Sequence, residues 1–161
     1  MSPFIRKIAA LLLALGFVCH PAVLQARDIS PSKWHNLSLS TTLTGICNTL
    51  SSVKLLTQLV KNNQCDPAAA VKLAEQYEGS AALTYKLLQA LVDSGELTPR
   101  EANAVTSLMD ITRSIGEASE HLKIFLTAAK AEEGAACEQS LDVATQSVHT
   151  LLESRHVAKA D

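Results

Sequence analysis

Residues 98–129 read TPREANAVTSLMDITRSIGEASEHLKIFLTAA. The segment opens on Thr98-Pro99-Arg100-Glu101. Thr98 offers a hydroxyl to accept from the orphan amides of a first turn, and Pro99 sits where no amide hydrogen is needed. Glu101, three residues on, can reach back to the N-cap amide. Ala104, Leu108, Ile111, Ile115, Ala118, Leu122, Phe125 and Ala129 then alternate spacings of four and three, so one helical face stays apolar from end to end. The pattern predicts a helix over about 99–131, with Gly116 able to bend it without breaking it.

The same grammar extends in both directions. Upstream, Asp66-Pro67 supplies another N-cap oxygen and first-turn proline, and Ala70, Ala74, Tyr77, Ala81, Thr84, Leu88 and Leu91 form a stripe. Leu73, Leu83 and Leu87 are expected to widen its buried face, and Asp93-Ser94-Gly95 closes a helix over about 67–92. Further upstream, Leu39, Leu43, Ile46, Leu50 and Val53 predict a helix over about 38–62, ended by Lys61-Asn62-Asn63-Gln64. Downstream, Gly134 is read as the turn, and Cys137, Leu141, Ala144, Val148 and Leu151 predict a helix over about 135–156. Strand-like alternation is absent. Four helices with short connections predict an all-α, antiparallel up-down-up-down four-helix bundle over 38–157. An extended helical hairpin that completes its core by dimerising is the alternative.

The N-terminal segment carries a different signal. Arg6 and Lys7, an apolar run from Ile8 to Val18, and Leu24-Gln25-Ala26 match the three parts of a cleavable secretory signal peptide over 1–26. That run spans 11 residues, short of the roughly 20 a membrane-crossing helix needs, so no stable anchor is expected after cleavage. Residues 27–37, which hold Pro31, Trp34 and His35, show no period and read as an irregular leader whose Trp34 folds back onto the bundle. The expected location is the periplasm or the extracellular space.

Composition narrows the function classes. Of 161 residues, 47% are apolar and 19% charged, enough for one packed core and inconsistent with a disordered chain. Removal of Arg6 and Lys7 with the signal leaves 12 basic and 16 acidic residues, net −4, with no cluster of cations. A phosphate-neutralising face is therefore not expected, and nucleic acid is not a predicted partner.

The mature chain keeps Cys47, Cys65 and Cys137. In the antiparallel bundle the first and third connections lie at one end, so a Cys65–Cys137 disulfide is expected, worth about 4 kcal/mol on the chain-entropy model. Cys47 lies 18 residues before Cys65. That is about 27 Å along a continuous helix, too far for a bond between them. Cys47 is read as a small buried hydrophobe, with an intermolecular disulfide as the alternative. A homodimer through Cys47 or through the helix stripes follows from that alternative.

Chemistry-bearing patterns are sparse. His149, Glu153 and His156 share one helical face and are the best metal-ligating set, though imidazoles near a helix C-terminus also suit its negative end. Glu117, Glu120 and His121 read as a solvated face, and Thr84 as a core hydroxyl bonded to its own helix. There is no Gly-x-Ser-x-Gly elbow, phosphate-binding glycine loop or His-Glu-x-x-His pair. Neither an enzyme nor a cofactor is predicted. The expected function is that of an exported, non-enzymatic helical protein that binds another protein, as an inhibitor, immunity factor, chaperone or assembly component. Its expected surface comprises Trp34, Tyr77 and Tyr85, beside Gly79, Ala81 and Ala82, which would let another helix come close. A small-ligand or metal carrier is the alternative, with His149, Glu153 and His156 as its first candidates.

Overall fold

A computed structural model of the protein describes the backbone of residues 31–157 and the side chains of residues 38–153. The segment 1–26 read as a signal peptide, and the first residues of the segment read as a leader, lie outside the described residues. Four helices account for almost all of the rest: α1 (Pro31–Lys61), α2 (Pro67–Asp93), α3 (Pro99–Ala128) and α4 (Ala131–Val157). Among the described residues there is no strand, and no helix is long and apolar enough to cross a membrane.

The helix starts follow the caps read in the sequence. Asp66 accepts from the Ala69 amide at 2.8 Å. Thr98 accepts from the Glu101 amide at 3.3 Å while Glu101 accepts from the Thr98 amide at 2.9 Å, a complete capping box. Two boundaries differ from expectation. Residues 31–37, read as irregular, are the first two turns of α1. Pro31 stands at the helix start, where its fixed φ is already helical and its missing amide hydrogen is not needed. The α3–α4 turn falls not at Gly134 but at Ala129-Lys130, where Ala129 takes a left-handed conformation (φ 51°, ψ 33°) and its amide bonds Phe125. Gly134 lies inside α4, and a Cβ there would come within 3.3 Å of the Phe125 ring. The glycine is a flat seat for an aromatic, not a hinge.

The core is built from the four stripes. On α1, Leu39, Leu43, Ile46, Leu50 and Val53 are buried, joined by Leu56; on α4, Cys137, Leu141, Ala144, Val148 and Leu151 are buried. Helix α3 is the centre of the molecule and buries well beyond its stripe, adding Val105, Met109, Thr112 and Ser119. It lies close along both α2 and α4, while α1 touches all three partners at longer range. Side-chain size explains the difference. The buried α2 residues Ala70, Ala74 and Ala81 let backbones approach, whereas the leucine stripe of α1 holds its backbone off.

Opposed contacts set the direction of two pairs. Glu78 meets Lys123 and Tyr85 meets Arg113 across α2–α3, and Phe125 meets Gly134 while Ser107 shares a groove with Gln146 across α3–α4. Residue numbers rise on one helix as they fall on the next. Buried hydroxyls are absorbed locally: Thr42, Thr57, Thr112 and Ser119 each donate to the carbonyl four residues back, at 2.7–2.9 Å. The expected widening of the α2 face does not occur. Leu73 and Leu83 are exposed and Leu87 is half-buried, because they sit on flanks of α2 that neither α3 nor α1 covers.

Candidate functional site

Helices α2 and α3 form an open groove of about 410 Å³. Its floor is made of Ala81, Ala82, Gly116 and the buried Thr112, and a Cβ on Gly116 would sit 3.6 Å from the Ala81 Cβ, so the two backbones are already close. Tyr85, Lys86, Arg113, Glu78 and Glu120 stand around this floor. The rim is held in place by two cross-helix contacts. Arg113 donates to the Tyr85 hydroxyl at 3.0 Å and lies 5.4 Å from the centre of its ring, while Asp110, one turn away, is 3.5 Å from the guanidinium. At the other end Lys123 donates to Glu78 at 2.5 Å. That bond raises the Lys123 ammonium above its usual value, with Glu120 and Glu75 acting in the same direction. The groove is thus acidic where Glu78 and Glu120 lie and basic where Lys86 and Arg113 lie.

Helical geometry explains why the two tyrosines part company. Tyr85 lines the groove, but Tyr77, eight residues earlier, is half-buried against the core and is not part of the lining. The backbone of Trp34 is in α1; its side chain lies outside the described residues.

The remaining sequence candidates lie away from this groove. His149 and Glu153 are exposed on α4, the side chain of His156 lies outside the described residues, and no three metal-ligating groups gather among the described residues. His121, read as part of a solvated face, is instead half-buried and donates from Nδ1 to Glu133 of α4 at 2.6 Å. The two-residue α3–α4 connection folds the start of α4 back beside it, a proximity that periodicity along α3 alone does not report.

The expected Cys65–Cys137 disulfide is not formed, and Cys47, Cys65 and Cys137 are all free thiols. Cys137 points into the core, with its sulfur 3.6 Å from the Thr57 hydroxyl of α1, whereas Cys65 sits in the α1–α2 connection and its thiol donates to the Asp66 carbonyl. Each sulfur is engaged elsewhere. Burial pushes the Cys137 thiol above its ordinary pKa, as it does that of the half-buried Cys47. Lys61 pairs with Glu138 beside Cys137 and ties the end of α1 to the start of α4.

A second, more polar groove of about 490 Å³ runs between α3 and α4, lined by Ser107, Asp110, Val143, Gln146, Ser147 and Thr150. It holds no pair of titratable groups, and its hydroxyls Ser107 and Thr150 donate to their own helices. Compared with known protein families, with characterised proteins and with solved structures, the chain finds no match.

Proposed function

We propose that the chain is an exported up-down-up-down bundle, released from a cleavable signal peptide. In this reading it works without catalysis, by docking protein helices on the α2–α3 groove in the periplasm or the extracellular space. Inhibition, immunity, chaperoning and assembly are the roles such a surface serves. The observation that carries the reading is the groove itself: a floor of the small residues Ala81, Ala82 and Gly116 with the buried Thr112, between walls of one tyrosine and four charges. A floor of this kind lets an incoming helix approach closely, and the rim charges orient it.

The test is native mass spectrometry of the chain recovered from its own host's envelope or medium, without chelator or reductant, beside an Ala82→Trp variant. The expected result is a stoichiometric second polypeptide on the wild type, lost from a variant whose circular dichroism is unchanged. A bare monomer, a small added mass in place of a polypeptide, or a polypeptide retained by Ala82→Trp overturns the reading.

A further inference from the structure

We infer that the occupant of the α2–α3 groove is a second copy of this chain, docked about a twofold axis that passes beside Ala82 and Gly116. The inference rests on the reading of that groove as a docking face and names its partner.

The order of the charges carries it. On α2, Glu78 and Lys86 are eight residues apart, about 12 Å along the axis, and Ala82 is their midpoint. On α3, Arg113 and Glu120 are seven residues apart and lie three and four residues either side of Gly116. Because α2 and α3 are opposed, the two acidic residues fall at one end of the groove and the two basic residues at the other. A twofold axis lying in the face, at right angles to the groove, lays the acidic end of each copy on the basic end of its mate. Arg113 then faces Glu120 of the second copy, and Lys86 faces the Glu75–Glu78 turn. Every such pairing occurs twice, as an isologous interface requires. A twofold axis running along the groove would instead lay acidic end on acidic end and basic end on basic end.

Two further observations agree. The positions closest to the axis, where two backbones must pass, are both small, Ala82 and Gly116. Lys86 and Glu120 are exposed, and neither forms an ion pair among the described residues. Within the chain Glu78 pairs with Lys123 and Arg113 lies 3.5 Å from Asp110, so Lys86 and Glu120 are the rim charges with the least internal compensation.

Sedimentation equilibrium of the chain from Arg27 onward, alone and with two charge reversals, tests the inference. The wild type is expected to be dimeric. Arg113→Glu makes the α3 edge acidic at both ends and Glu120→Lys makes it basic at both ends, so each variant alone should dissociate at least about a hundredfold more readily. An equimolar mixture of the two should recover the dimer, because every facing pair is again of opposite sign. Misfolding of one variant cannot imitate that recovery. A wild type that stays monomeric, or a dimer indifferent to both reversals, overturns self-docking. The groove's role as a docking face is judged separately by Ala82→Trp: a heterologous polypeptide lost from that variant would keep the face and refute only the second copy as its occupant.

Discussion

Ala129 shows how a single residue carries a fold decision. It ends α3 in the left-handed region, at φ 51°, where a Cβ crowds the following carbonyl. Ala129→Gly should therefore raise stability by about 0.5–1 kcal/mol, the relief of the left-handed conformation exceeding glycine's larger unfolded-state entropy. Chemical denaturation would check this, and an unchanged or lower midpoint would mean that the turn is not strained there. Cys137 makes a second residue-level case. Its thiol is buried against Thr57 and its pKa is raised. The folded chain keeps that proton where the unfolded chain has lost it, so the thiol leaves stability unchanged below the unfolded pKa. From about pH 9 upward it subtracts stability progressively until the folded pKa is reached. Thermal melts across that range should show a shallower decline for Cys137→Ala than for the wild type. In the native state Cys137 should also be alkylated more slowly than Cys65, as peptide mass spectrometry would show.

At the scale of the element, caps and stripes act as local instructions. The Thr98–Glu101 box satisfies amides that nothing else at the start of α3 serves, so Thr98→Ala should cost about 1 kcal/mol. A thermal melt beside an exposed control such as Thr106→Ala would separate the cap from a generic loss of threonine. Helix existence was legible because caps, prolines and four-three spacing depend on residues a few positions apart. The caps at Asp66 and Thr98 and the stripes of α1, α3 and α4 could be read for that reason. The α3–α4 turn could not. Gly134 carries the ordinary sequence mark of a helix stop, but its missing side chain is used by Phe125, a contact made only after α4 folds back on α3. The start of α1 was missed because residues 31–37 lack the apolar period, and a helix can extend past its buried stripe for as long as its backbone bonds are made.

At the scale of the whole molecule α3 is the central strut, in contact with every other helix. Ile111, fully buried, should cost about 2–5 kcal/mol on substitution by alanine, whereas Leu55→Ala, at a site 57% exposed, should cost little. Urea denaturation of the two variants would show whether the centre of the bundle lies on α3, since similar midpoints would contradict it. The groove beside α3 also belongs to this scale. Tyr85, Ala81 and Ala82 were legible as a surface from α2 alone. Arg113, Gly116 and Glu120, which complete it, were not, because their part depends on how α3 is rotated against α2.

The sequence alone determined the class of the fold, the positions of most helices and most residues of the buried stripes. These follow from hydrophobic period and from capping, which act within a few turns of a single helix. Of the stripe residues read, Ala129 is exposed past the end of α3, and Tyr77, Thr84, Ala104 and Phe125 are half-buried. Only the tertiary structure decided which flanks of α2 stay exposed, where α3 gives way to α4, that Cys137 faces Thr57 and not Cys65, and that His121 meets Glu133. It alone also aligned the charges of α2 and α3 into a groove with an acidic and a basic end. The physical reason is the same in each case. A helix repeats every 3.6 residues whatever lies beside it, but the rotation and offset of one helix against another are set by side chains that meet only once both are folded.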